Sequence, residues 1–489
     1  MNLKGLYRIL AAREERVERQ KRLLSSGGIL VSYTLNIPGP VKTAVLYRYV
    51  FETGLRRLKE ALNLYDALWE TGCNEAGFYA LAHISSESGR TAEETAACPA
   101  SEGEYPAEKF SGTAVSVSET AAAVKALTVE LEEEQELGRL FDMDVLYAGP
   151  DGEPAKISRI QLGKPGRNCL VCDAPAFVCV RAARHSAAEV LMRVIDRILA
   201  SAEIREKIGN GDDFDPLIRE ALRALLYEVI TTPKPGLVDT ENEGAHTDMD
   251  ITLFFDSALT LVPYFSACLQ TGTDNAGRDP EELLMLLRPL GRDAECSMYD
   301  ATGGVNTHKG MIFTFGILCC AAGWLRGNGD SSEPDEAERI LRLAGRICAR
   351  MENGNPILRR EVMNGYPSVR RVLRETSGSR KSCGNGDGVR MLVMLLAYAE
   401  DANVVRRNGA EAGTRLKARA AQLLKKFPER TESETEEKGE KGINSENSFL
   451  AAVAELDREL IRENSSPGGA ADLLAVCYFL RFLAKTGEP

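Results

Sequence analysis

Apolar and polar positions follow two different rhythms along this 489-residue chain. Near the start, residues 3–24 and 41–70 repeat apolar side chains at helical spacing, while Ile29 to Ile37 alternates, is β-branched and stops at Pro38-Gly39, as a strand does. Residues 78–84, 140–148, 157–162 and 177–180 are further predicted strands, so the front part is expected to be α+β. Between them, residues 85–112 are rich in Ser, Glu, Ala and Pro and predict a long exposed insertion. From Asp215 onward the period becomes almost uniformly helical, over 217–230, 251–269, 281–290, 311–325, 336–351, 391–399, 416–426, 449–461 and 470–484. The rear part is therefore expected to be all-α. Gly209-Asn210-Gly211-Asp212-Asp213 predicts the hinge, which gives a front domain over 1–205 and a rear domain over 215–489. Residues 428–447 hold many Glu and Lys and almost nothing apolar, which predicts a disordered insertion in the rear domain.

Composition narrows the function classes. Apolar residues make up 44% and charged residues 27%, as in a soluble globular protein large enough for several cores. The net charge of −12 argues against non-specific nucleic-acid binding. No apolar run, 311–325 included, is expected to reach bilayer-spanning length. The first residues mix acids with bases and read as an amphipathic helix, not a signal peptide. Twelve cysteines without such a signal are expected to be reduced, in a cytoplasmic protein. Cys319, Cys320 and Cys477 lie in apolar helical runs and read as small hydrophobes.

The densest candidate chemistry is the run Ala301-Thr302-Gly303-Gly304-Val305-Asn306-Thr307-His308-Lys309-Gly310, directly before a long apolar helix. Two glycines permit a sharp turn, and a helix opening near Gly310 aims free N–H groups at it, as an anion site requires. It is not a Walker A loop, because His308 stands where that motif needs glycine. A cation at a helix start is unfavourable without an anion, which singles out Lys309. Two more clusters interrupt the helices. One holds Glu228, Lys234, Asp239, His246, Asp248 and Asp250; the other is Gly468-Gly469 at the entry to the last helix. For a triphosphate ligand, Lys234, Arg292 and Lys309 supply cations, Gly303, Gly304, Asn306, Gly468 and Gly469 supply loop backbone and amide, and Asp239, Asp248 and Asp250 are oxygen ligands for Mg2+. Displacing a base from a ribose passes through an oxocarbenium-like state, for which Glu228, His246, Glu295 and His308 have suitable acid–base groups. Each also has an ordinary reading: Pro233 and Pro235 end a helix, Asp239 caps one, and single surface charges are solvated.

PKPGLVD (233–239), GAHTDMD (244–250), GRDAECSMYDATGGVNTHKG (291–310) and SPGGAADLLA (466–475) occur in order, and together they resemble triphosphoribosyl-dephospho-coenzyme A synthase over residues 217–483. The resemblance implies that ATP and 3'-dephospho-coenzyme A are joined through the ribose hydroxyl with release of adenine and an intact triphosphate. Asp401 to Gly409 is similar to a further family motif and departs from it at Ala402 and Asn408.

In the front part, Gly138-Arg139-Leu140-Phe141-Asp142-Met143-Asp144-Val145 puts two carboxylates on one face of a strand, where they can share a Mg2+ that bridges phosphates. Arg139, Arg159 and Arg167 are the phosphate-binding candidates, the last two within a basic block from Lys156 to His185 that suits a phosphorylated ligand or an acidic partner. Cys169, Cys172, Cys179 and His185 invite a zinc reading, but the spacing after the first pair is short for the usual intervening loop, and reduced structural thiols are expected. LVSYTLNIPGPVK (30–42), GRLFDMDV (138–145), ISR (157–159), GKPGRNCLVC (163–172) and CVRAARH (179–185) resemble citrate lyase holo-acyl-carrier-protein synthase over residues 9–198. That resemblance implies a nucleotidyltransferase-like domain that moves phosphoribosyl-dephospho-coenzyme A onto a serine of the acyl-carrier (gamma) subunit of citrate lyase, releasing diphosphate, with Asp142 and Asp144 as metal ligands. The expectation for the whole chain is a bifunctional transferase with no nucleic-acid or membrane partner. The rival is a non-catalytic nucleotide-sensing adaptor that binds the acyl-carrier subunit.

Overall fold

The computed structural model describes residues 3–39, 41–85, 117–149, 153–329, 335–352, 355–376, 383–428 and 439–486. They form two compact units, one running to Ser186 and one beginning at Ala187.

The front unit is built on a five-stranded antiparallel sheet in the order β2-β3-β1-β4-β5, with β1 Ile29–Leu35, β2 Ala67–Asn74, β3 Gly77–Ile84, β4 Phe141–Ala148 and β5 Pro154–Lys156. Central β1 is buried on both faces, Leu30 on one and Val31 and Tyr33 on the other. Helices Leu3–Leu24, Val45–Ala61 and Val117–Glu133 belong to the same unit. In the β1–β4 register Thr34 faces Asp142 and Ser32 faces Asp144, so both aspartates project from one face of β4.

Three sequence expectations change here. The helical reading of 41–70 misses β2, whose ALWETGCN alternates only partly because it is a half-buried edge strand. Residues 157–162 form a 3-10 turn, Ile160–Leu162, just after the short β5. Residues 177–180 lie in the helix Ala176–Arg181, where Phe177 and Val180 are exposed; β-branched character without a pairing partner does not make a strand. Residues 86–112 of the expected front insertion lie outside the described residues.

By packing, the helix that precedes the glycine-rich segment groups with the second unit. Helix Ala187–Ala200 packs on helix Pro216–Ile230: the Tyr227 hydroxyl donates to Asp196 at 2.7 Å, and Arg223 pairs with Asp196 at 2.7 Å while covering the Phe482 ring at 4.0 Å. Among the described residues this unit holds helices and no strand. Helix Lys309–Gly327 lies along Val262–Asp274, and Gly468–Thr486 along Pro216–Ile230, with the rings of Phe265, Phe315 and Phe479 in tilted contact in series. Contrary to the sequence reading, residues 251–274 and the helix Lys309–Gly327 are long and apolar enough to cross a membrane; most of that apolar surface is buried inside the unit. Of the segment expected to be disordered, 429–438 lie outside the described residues, and the rest enters helix Gly439–Arg462. That helix is anchored by Phe449, Val453, Leu456 and Leu460 at helical spacing.

Candidate functional site

The four motifs of the rear unit meet around residues 465–472. The turn after helix Pro216–Ile230 packs so closely that a Cβ at Gly236 would lie 2.2 Å from the Ser465 carbonyl, and the Gly236 N–H donates to Asp457 at 2.8 Å. His246 Nε2 is 2.8 Å from the Ser466 hydroxyl. Asp401 accepts from Asn403, Val404 and, at 2.8 Å, Ala470, so one carboxylate caps both its own helix and the last one. Finally, a Cβ at Gly310 would lie 1.9 Å from Asp472 Oδ2, which is why the first turn of helix Lys309–Gly327 carries glycine there. Gly310→Ala is therefore expected to displace the Asp472 carboxylate and lower rear-unit turnover on the order of 10²-fold, measured with an intact circular dichroism spectrum; unchanged turnover would show that Asp472 is not held for chemistry.

At the centre sits an ion pair with almost no solvent contact. Lys234 Nζ lies 2.5 Å from Glu228 Oε1 and 3.1 Å from the Glu228 carbonyl. Burial pushes the Glu228 carboxyl up, and Lys234 opposes that shift. Asp472 is pushed well above the usual carboxylate range by burial and by the nearby Glu228 and Asp401 charges. His308 is buried, its Nδ1 2.8 Å from Ser257 Oγ, while its Nε2 has no hydrogen-bond partner. Burial and the Lys234 charge hold its imidazole neutral, with the pKa down at about 3. The unfolded chain protonates His308 below its ordinary value of 6.5, so its stabilising contribution is complete above that pH and is lost as the pH falls toward about 3. The loss of unfolding free energy between pH 7 and pH 4 should be smaller in His308→Gln; equal losses would contradict a neutral buried imidazole.

The remaining rear candidates separate. Asp239 is buried, with Oδ2 accepting from Lys234 N at 3.0 Å and Oδ1 from Glu241 and Asn242 at 2.7 and 3.1 Å; burial raises its pKa to about 7. Asp250 caps helix Ile251–Thr260 through Leu253, and Asp248 is exposed, 4.0 Å from His246 Nδ1. These three acids do not converge among the described residues, so the geometry gives the three-aspartate Mg2+ set no support. Lys309 and Glu295 form an accessible pair at 2.8 Å beside exposed Gly303, Gly304 and Asn306, with Arg292 exposed one helical turn before Glu295. Gly303, at φ +63°, ends helix Pro280–Ala301. Gly468 and Gly469 crowd Asn403 and Asp401, so the last helix starts on a carboxylate of this chain. Asp401 and Asp472 lie in family-like motifs but carry no role legible in the sequence; a lone acid inside the apolar run after residue 470 is the available signal.

In the front unit, Asp144 pairs with Lys156 at 2.5 Å, and Asp142 lies 3.7 Å from Arg167. Burial and the neighbouring Asp144 raise the Asp142 pKa, with Arg167 opposing. Arg167 also pairs with Glu132, which is buried and accepts from Met143 N at 2.8 Å; Arg159 reaches Glu132 at 3.7 Å and Glu133 at 2.7 Å. Lys125, buried, donates to the Met143 carbonyl at 2.7 Å from the same helix as Glu132. Neither Lys125 nor Glu132 was found from sequence, because Val117–Glu133 carries no recognisable motif. Arg139 donates to the Asn168 carbonyl, which ties the basic loop to the start of β4.

Two family models match in succession along the chain. Residues 215–354 and 347–488 match ATP:dephospho-CoA triphosphoribosyl transferase, and residues 4–97 and 107–201 match apo-citrate lyase phosphoribosyl-dephospho-CoA transferase. Protein CitXG of Leuconostoc mesenteroides subsp. cremoris is 28% identical over 97% of this chain and 96% of its own length. Protein CitXG of Haemophilus influenzae is 28% identical over 99% and 97%. The 2-(5''-triphosphoribosyl)-3'-dephosphocoenzyme-A synthase of Klebsiella pneumoniae is 36% identical over 53% of this chain and 87% of its own.

Proposed function

We propose, since the chain belongs to the family in which an apo-citrate lyase phosphoribosyl-dephospho-CoA transferase is fused to an ATP:dephospho-CoA triphosphoribosyl transferase, that its two units act in sequence. The chain is a bifunctional transferase that makes and attaches the citrate lyase prosthetic group. The rear unit converts ATP and 3'-dephospho-CoA to triphosphoribosyl-dephospho-CoA and adenine. The front unit transfers phosphoribosyl-dephospho-CoA to a serine of the acyl-carrier subunit, releasing diphosphate. Full-length transferase relatives leave the non-catalytic adaptor without support.

The observation carrying the rear assignment is the convergence of four sequence-distant motifs on Asp472, Lys234, Glu228 and His308. Asp472, kept protonated by burial and by its neighbours, donates a proton to the leaving adenine. Neutral His308, held too weakly basic by burial and Lys234 to take a full proton, accepts a hydrogen bond from the attacking hydroxyl at Nε2 and orients it. Lys309, accessible beside the glycine turn, exchanges Glu295 for the triphosphate. The Glu228–Lys234 pair supports the oxocarbenium-like state electrostatically.

In the front unit the nucleotidyltransferase-like reading rests on the paired acids of β4. Asp142 and Asp144 are half-buried, adjacent and still accessible, a donor set that fits Mg2+. The ion would neutralise phosphate charge there, while Arg167 and Arg159, already held by Glu132, orient the phosphates. Phe177, Val180 and Arg181 share one exposed helix face near Arg184, a basic and apolar surface suited to an acidic carrier protein. Free thiols among the described residues and nucleotide substrates support a cytoplasmic location.

Incubation with ATP, dephospho-CoA and Mg2+ should release free adenine; ADP or AMP in its place would overturn the rear assignment. Lys309→Ala should raise the KM for ATP about tenfold or more, since losing one charge-assisted contact costs at least about 1.4 kcal/mol; an unchanged KM would remove Lys309 from the site.

A further inference from the structure

Cys169, Cys172, Cys179 and His185 were expected from their spacing to be ordinary reduced thiols and a histidine. The fold brings all four together. One ligand atom from each lies within 4.8 Å of all the others. Cys172 Sγ is 3.5 Å from Cys179 Sγ and 3.3 Å from His185 Nε2. A tetrahedral zinc with bonds of about 2.3 Å to sulfur and about 2.0 Å to nitrogen has ligand–ligand edges of about 3.5–3.8 Å, so small side-chain adjustments suffice.

Local backbone structure explains how such close spacing converges. Asn168 bridges Pro175, and Cys169 N donates to the Ala174 carbonyl at 2.8 Å, which closes a tight turn around Cys169 and Cys172. Within it the Val171 N–H lies 3.4 Å from Cys169 Sγ, a donor that stabilises a thiolate. Cys179 follows on the short helix Ala176–Arg181. Ala183 then takes a left-handed conformation, φ +44°, and Arg184 N returns to the Cys179 carbonyl at 3.0 Å, swinging His185 back to the sulfurs. The long loop that zinc spacing normally needs is thus replaced by a helical turn and a reversal.

We propose that these four side chains bind one Zn2+ as a closed Cys3His site whose role is structural. Four protein ligands leave no position for water or substrate. The site pins the loop carrying Arg167 two residues before Cys169, and Arg139 holds the same loop through the Asn168 carbonyl. The metal therefore positions Arg167 against Asp142 and Glu132. Binding converts the thiols to thiolates and releases their protons, so zinc uptake is favoured by rising pH.

The test uses the full chain purified without chelator. Metal analysis should find about one zinc per chain, and cobalt exchange should give the visible absorption of tetrahedral cobalt with thiolate-to-metal bands. Cys172→Ser and His185→Ala should lose most of the metal, whereas His185→Cys, which restores a ligand, and Cys73→Ser, at an exposed strand position outside the cluster, should keep it. Stripping the zinc should lower attachment activity and leave adenine release unchanged, a split that does not depend on the assay that tests the rear unit. Three results would overturn the proposal: no zinc uptake by the reduced chain, alkylation of the cluster cysteines as fast as Cys73, or a native mass showing a Cys172–Cys179 disulfide.

Discussion

Changing Asp142 and Asp144 together to asparagine should abolish transfer to the acyl-carrier subunit while adenine release from ATP continues. Asparagine keeps the shape of both side chains but not the charge that holds a divalent ion. Removing both acids relieves their mutual repulsion but gives up the part-exposed contacts with Lys156 and Arg167, so the stability of the fold should change little. A metal bridging phosphates is worth several kcal/mol in the transition state, so attachment should fall by roughly 10³-fold or more. The measurement is the mass of apo acyl-carrier subunit incubated with supplied precursor. Labelling at an undiminished rate would refute the metal role, and a parallel fall in adenine release would mean that the two units are not functionally separable.

The second large effect concerns the buried pair of the rear unit. Lys234→Met leaves Glu228 without its cation in a site with almost no solvent contact. Removing one partner of a buried pair costs about 3–5 kcal/mol, because the remaining charge must be neutralised or exposed. The double change Lys234→Met with Glu228→Gln should recover most of that stability, since both desolvated charges are gone. Adenine release should remain lost in the double variant even though it is folded. Recovery of turnover along with stability would show that the pair is scaffolding, and that the ribosyl-transfer chemistry rests on Asp472 and His308 alone.

Much of this protein was legible in its order of residues. Long segments of 3.6 period foretold the helices of the rear unit, because each must bury a continuous stripe: Phe265, Phe315 and Phe479 each fall on such a stripe. Alternation foretold β1, β3 and β4, and with them the common face of Asp142 and Asp144. The glycine turn before the helix Lys309–Gly327 was readable as local geometry, since paired glycines permit the left-handed backbone that ends one helix before the next begins.

Other features depended on contacts between distant residues, for which local pattern is no guide. Edge strand β2 pairs on one side only and so lacks a clear alternation. Residues 177–180 have strand-like side chains but no neighbour to pair with, and they turn into a helix. Asp239, Asp248 and Asp250 are near in sequence, yet one is consumed by backbone N–H groups, one caps a helix and one faces solvent. Asp401, Glu228 and Asp472 lie far apart in the chain, and only the packed loops bring Asp401 and Glu228 near Asp472. The spacing of the three thiols and the imidazole favours reduced thiols over a metal site, whereas in the fold a helical turn and one left-handed residue close the gap. Local sequence thus determined most element types, the division into an α+β front and a helical rear, and the residue chemistry available in each. Tertiary structure alone decided which charges lose their water and which lie within bonding distance, because desolvation and proximity are properties of the packed chain.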